Sequence, residues 1–105
     1  MSSSVDLATH RTLIEACLRN GVPFFWRGPG TMLISGRGLR DVILDVLESG
    51  EEILGLEGFE LEGQVIHPRI DLIFDSKTRA DPLAAIAQWD QDIWVDVMLR
   101  RKPAA

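Results

Sequence analysis

The sequence contains one cysteine, no tyrosine and two histidines, and these scarcities exclude several classes of function. Cys17 has no second cysteine with which to form an intrachain disulfide, which fits a reducing compartment. His10 and His67 belong to different segments and lack a metal-ligand spacing, so we expect neither a metal nor another cofactor. The chain has no Gly-x-Ser-x-Gly elbow and no Walker loop. The sequence therefore predicts no catalytic residues.

Long apolar runs are absent as well. No run approaches the roughly 20 residues that a membrane-spanning helix needs, and the first residues lack a basic region followed by an apolar one. We therefore expect a cytoplasmic protein without membrane contact. A length of 105 residues suits one domain of ordinary size. We predict a single domain over residues 1–105, with frayed ends at 1–4 and 101–105.

Basic residues are missing from the middle of the chain. The formal charge is −5, and half of the sixteen acidic residues lie in one segment without Lys or Arg. These acidic residues are Asp41, Asp45, Glu48, Glu51, Glu52, Glu57, Glu60 and Glu62. Such a segment repels phosphate backbones and attracts basic surfaces, which disfavours nucleic acid and favours a basic protein partner. The alternative is a solvated surface that is acidic only for solubility.

Hydrophobic spacing predicts three helices and about five strands. Apolar residues three and four positions apart, as at Leu39, Val42 and Ile43, predict helices over residues 5–20, 39–48 and 82–89. Short apolar runs predict strands over residues 24–26, 32–34, 53–62, 65–75 and 93–99. The order α-ββ-α-ββ-α-β favours an α+β two-layer sandwich, in which helices cover one face of a mostly antiparallel sheet.

Two of the predicted strands contain irregularities. The apolar residues of the strand over 53–62 change phase near Gly58, which predicts a β-bulge there. In the next strand, Pro68 has no N–H to donate to a neighbour, which predicts a position at the edge of the sheet. Alternation in that strand places Ile70, Leu72 and Phe74 toward the core.

The same alternation places Asp71 and Asp75 together on the solvent side of that strand. Such a carboxylate pair leaves open a small enzyme that uses both groups for acid–base chemistry. Trp94 occupies the less apolar side of the last strand, opposite Val95 and Val97. A surface tryptophan among acidic residues suits a partner that carries arginine.

Residues 53–75 combine a Gly-Phe-Glu turn with the sequence Pro-x-x-Asp-x-x-x-Asp. This pattern, about a quarter of the chain, resembles small bacterial immunity-type proteins, which are encoded beside polymorphic or contact-dependent toxins. The matching positions are Glu57, Phe59, Glu60, Asp71 and Asp75. The resemblance implies a non-catalytic protein that binds a toxin domain and blocks its active site.

These features predict a non-catalytic protein-binding module, and the resemblance implies an inhibitor that masks a basic toxin or nuclease domain. The expected contact residues are Glu57, Phe59, Glu60, Glu62, Asp71, Asp75 and Trp94. One alternative is a homodimeric structural or regulatory module, in which residues 93–99 form an edge strand that pairs across a two-fold axis. Another is a small enzyme that uses Asp71 and Asp75.

Overall fold

The computed structural model describes residues 2–28 and 30–101, and the side chains of residues 10–28 and 30–100. Its elements follow the predicted order, with a single 3-10 turn at Gly36–Gly38 before the second helix. The elements are α1 (Ser2–Asn20), β1 (Phe24–Trp26), β2 (Met32–Ser35), α2 (Leu39–Glu48), β3 (Glu51–Glu62), β4 (Val65–Asp75), α3 (Pro82–Ile86) and β5 (Trp94–Arg101). The predicted α+β class is confirmed.

The five strands form one antiparallel sheet in the order β1-β2-β5-β3-β4. β5 lies between β2 and β3, so the prediction that residues 93–99 form an edge strand is wrong. The alternation of apolar residues along β5 indicates that one face of the strand is buried. It does not indicate which strands pair with β5 within the sheet. The edge strands are β1 and β4, and the edge position that Pro68 predicted for β4 is confirmed.

One face of the sheet packs against the helices. Strand residues such as Ile34, Leu56 and Val95 are fully buried against Leu13 of α1 and Ile43 of α2. Cys17 belongs to the same core, and burial raises the pKa of its thiol to about 11, as expected for a packing residue.

The ends of the predicted helical faces are exposed. Leu18 is 69% exposed and Leu47 is 37% exposed, although periodicity assigned both to the buried side. Each lies within the last turn of its helix. α3 begins as predicted, because the side chain of Asp81 accepts a hydrogen bond from the Leu83 amide at 3.0 Å. None of the described helices combines the length and apolarity needed to cross a membrane.

A register shift interrupts the pairing of β3 with β4. Glu57 lies opposite Ile73, whereas the next residue, Gly58, lies opposite Arg69, so β4 contains extra residues at 70–72. The position of the irregularity near Gly58 was predicted, but its strand was wrong: the extra residues lie on β4, and β3 pairs with β5 without interruption from Gly55 to Phe59. Because of this shift Ile70 is 84% exposed, contrary to the prediction that it faces the core. Leu72 instead packs over Gly58, where an added Cβ would lie 2.8 Å from the Leu72 Cβ.

Candidate functional site

The sheet face that is turned away from the helices carries one continuous row of side chains. Phe25, Leu33, Asp96, Glu57 and Ile73 lie opposite one another across all five strands. Because side chains alternate along a strand, these residues share one face with the next row, which includes Trp94 and Phe59. We call this surface, defined by these seven residues, the outer face.

The centre of the outer face is apolar and packed. Leu33 is fully buried and Phe59 is 6% exposed, yet both lie outside the core beneath the helices. The rings of Phe25 and Trp94 make an edge-to-face contact with a centroid distance of 4.9 Å. Trp94 lies directly opposite Phe59 on the neighbouring strand. The outer face therefore has a small aromatic cluster of its own.

Arg27, which follows β1, covers part of this cluster. Its Cζ lies 5.4 Å from the centroid of the Phe59 ring, within the range of a cation–π contact. Two strands, β2 and β5, separate β1 from β3 in the sheet. A contact across that distance requires the sheet to curl toward the outer face. This curvature also accounts for the burial of Leu33.

Two carboxylates lie side by side within the outer face. Glu57 and Asp96 are direct partners on β3 and β5. Burial and the nearby charge of Glu57 raise the pKa of Asp96, against smaller lowering effects of His10 and Arg27. Among the described residues, no ion pair neutralises either carboxylate. The outer face thus combines apolar surface with negative charge.

Glu60 and Asp71, two of the predicted contact residues, are paired with Arg69. Its guanidinium donates to both carboxylate oxygens of Asp71 at 2.9 and 2.8 Å and to Glu60 at 2.6 Å. The Asp90 carboxylate lies 3.8 Å away. The Arg69 hydrogen bonds lower the pKa of Asp71. An acid–base pair with raised pKa values, as the small-enzyme hypothesis requires, therefore does not fit Asp71.

Glu62 and Asp75 also have local partners. Glu62 contacts the exposed ring of His67 at 3.2 Å. Asp75 accepts a hydrogen bond from the Lys77 amide at 2.9 Å and so stabilises the turn after β4. Asp75 lies opposite Gly55, next to the row that contains Glu57 and Ile73. The structure brings Glu57, Phe59 and Trp94 together, and it places Glu60, Glu62 and Asp71 elsewhere.

The acidic segment 41–62 does not form one surface. Asp45 on α2 pairs with Arg19 at 3.0 Å, and Glu52 pairs with Arg100 at 2.9 Å. The carboxylates of α2 belong to the helical layer, whereas Glu57 belongs to the outer face. Gly-Phe-Glu, expected as a turn, lies inside the continuous strand β3. A count of charges along the sequence could not anticipate this distribution over two layers.

Sequence reasoning missed three residues of this site, Phe25, Arg27 and Leu33, and it gave Asp96 only as an acidic neighbour of Trp94. A signal was available for Phe25, because only alternate residues of the run Phe24-Phe25-Trp26 can face one side of a strand. Asp96 lies between buried Val95 and Val97, which indicates the opposite face. No local signal indicates that Arg27 reaches Phe59, since that contact depends on the curvature of the whole sheet.

Comparisons with protein-family models, with curated proteins and with solved structures found no match to this chain. The functional interpretation consequently depends on the geometry of the outer face.

Proposed function

We propose that this protein is a protein-binding module and that its outer face receives a basic segment of the partner. The observation that carries the proposal is the adjacent pair Glu57 and Asp96, which forms no ion pair among the described residues and borders the aromatic cluster. A cation placed between the two carboxylates would relieve their repulsion and would pair with both.

The surrounding residues suit such a partner. Trp94, on the central strand of the sheet, and Phe25 beside it offer partly exposed aromatic surface, and aromatic residues near the centre of an interface often carry much of its binding energy. Ile73, 49% exposed, extends this surface to the edge strand. Negative charge on the face would speed association with a basic partner, and the rate would fall as salt is added.

A finer proposal is that the partner is a toxin or nuclease domain that the module inhibits. In support, Glu57 and Phe59, which match the immunity-type pattern, both lie on the outer face. Asp71 and Glu60, which also match it, hold Arg69 instead. Asp75, the fifth matching residue, lies opposite Gly55, next to the row that contains Glu57 and Ile73. The contact surface proposed here is Glu57, Phe59, Trp94 and Asp96.

Site-specific photocrosslinking in the cells that produce the protein tests the proposal. Benzoylphenylalanine is placed at Ile73 on the outer face or, as the matched control, at Leu47 on α2, another partly exposed apolar residue. We expect a discrete crosslinked protein from position 73 that is absent from position 47. Equal products from both positions, or products from position 47 alone, would contradict the proposal.

The crosslinked partner is then purified and its affinity is measured by calorimetry at increasing salt. We expect Glu57→Gln to weaken binding by about tenfold, since a close charge pair across an interface contributes roughly 1.5 kcal/mol or more. The control Glu48→Gln removes the same charge from α2 and should leave the affinity nearly unchanged. Equal effects of the two substitutions would show that only net charge matters.

A further inference from the structure

We propose that Phe59, Glu57 and Asp96 form a guanidinium site, which Arg27 occupies in the free protein and an arginine of the partner occupies in the complex. The inference rests on the proposed function and names the chemical group that the outer face recognises.

The first argument is that the site already holds a guanidinium. Arg27 reaches over the ring of Phe59 from the far side of two intervening strands. Its side chain has no carboxylate partner among the ion pairs of the described residues. Its contact with the Phe59 ring shows that a planar cation fits there.

The second argument concerns the charges beside the ring. Glu57 and Asp96 lie in the row next to Phe59 and Trp94. The electrostatic effects of His10 and Arg27 on the pKa of Asp96 only partly offset burial and the charge of Glu57. The face thus retains negative charge that Arg27 does not neutralise, and a second cation that approaches the pair more closely would neutralise it.

The third argument is that Arg27 can leave without disturbing the fold. Its side chain is exposed, and its backbone amide is held separately by the Thr31 carbonyl at 2.8 Å. Rotation about its own side-chain bonds would clear the ring while the hairpin stays intact. Arginine suits the site better than lysine, because a planar guanidinium stacks on an aromatic ring and pairs with two carboxylates at once.

Binding of a fluorescent oligoarginine peptide tests the inference, with an oligolysine peptide of equal length as the comparison. Arg27→Ala should tighten oligoarginine binding by about two- to fivefold beyond the effect of Arg40→Ala, because it removes a competing contact of ordinary cation–π strength. Arg40 is exposed on α2, so its substitution changes the net charge equally without touching the outer face. Phe59→Leu should abolish the preference for oligoarginine over oligolysine.

A second measurement needs no ligand. The ring of Phe59 should shift the proton resonances of the Arg27 side chain upfield, and Phe59→Leu should remove that shift while circular dichroism confirms the fold. If Arg27→Ala tightens binding no more than Arg40→Ala, or if the ring-current shift is absent, the inference is wrong. If Glu57→Gln and Asp96→Asn both leave oligoarginine binding unchanged, the proposed function itself fails.

Discussion

Glu57 of β3 and Asp96 of β5 lie directly opposite each other on the outer face. Like charges in such cross-strand positions destabilise a sheet, and this pair lies beside aromatic residues that would favour a neutral neighbour. A binding site for a cation explains the arrangement, because the repulsion in the free protein becomes attraction in the complex.

Removal of one of these charges should stabilise the free protein. Asp96→Asn is expected to raise the free energy of unfolding by about 0.2–1 kcal/mol at neutral pH, the usual strength of a cross-strand charge interaction. Urea denaturation measures the change. Glu48→Gln on α2 is the control and should have a smaller effect.

The stabilisation from Asp96→Asn should depend on pH. The pKa of Asp96 is raised in the folded protein, so its contribution to stability is fully present below the ordinary aspartate pKa of 3.8 and is lost as the pH rises through the folded value. The difference between variant and wild type should therefore shrink as the pH falls toward 3.8. A difference that grows on acidification would contradict the burial and repulsion inferred for Asp96.

Asp45 and Asp71 should show the opposite pH dependence. Hydrogen bonds from Arg19 and Arg69 lower the pKa values of Asp45 and Asp71, respectively. The contribution of each carboxylate to the stability of the fold is therefore present above the ordinary aspartate pKa and is lost as the pH falls through the pKa of the folded protein. Asp71→Asn should therefore lower the melting temperature at neutral pH. The melting temperature of the variant should also fall less steeply than that of the wild type as the pH is lowered. Asp75→Asn, on the same strand, is the control, because among the described residues Asp75 accepts from the Lys77 amide and forms no ion pair with a guanidinium, so its substitution should lower the melting temperature at neutral pH less.

The outer face should contain a small core of its own. Leu33→Ala should lower the free energy of unfolding by about 2–5 kcal/mol, as for other fully buried leucines. Ile73 lies in the same row, but its side chain is half-exposed. Ile73→Ala should therefore lower the free energy of unfolding by less than about 1 kcal/mol. Similar values for both substitutions would show that the sheet does not curl over Leu33.

Gly58 should tolerate no side chain. Gly58→Ala is expected to lower the free energy of unfolding by about 1–3 kcal/mol. The new methyl group would collide with the Cβ of Leu72, which packs over Gly58. Gly55→Ala on the same strand is the control, since its closest contact is the flexible end of Met98 at 3.0 Å. Equal losses of stability in urea denaturation would contradict the tight packing at Gly58.

Local patterns predicted the elements of this fold, whereas contacts between distant strands determined the site. Periodicity, the cap at Asp81 and the position of Pro68 were sufficient for the order of the elements along the chain, the starts of α2 and α3 and one sheet edge. α1 begins at Ser2, before the predicted start at residue 5. The interior position of β5 was not predictable, because sequence alternation reports burial of a face and not hydrogen-bonding neighbours. The extra residues in β4 likewise moved Ile70 to solvent.

The candidate site was predicted in part. Trp94 on the less buried side of its strand follows from alternation and is confirmed, with Val95 and Val97 buried opposite. The acidic residues of segment 41–62 are divided by the fold between helices and sheet, and Arg69 pairs with one of them, Glu60, as well as with Asp71. That division depends on pairing between segments far apart in the sequence, which local composition does not record.

The most direct test of the outer face is a titration of isotope-labelled protein with oligoarginine, followed by NMR. We expect the largest shift changes at Glu57, Phe59, Trp94 and Asp96, with progressive loss as salt is added. Two carboxylates of α2, Asp41 and Glu48, are exposed as well and should respond weakly. Equal or larger changes at Asp41 and Glu48 would show that positive ligands follow net charge and that the outer face is not the docking surface.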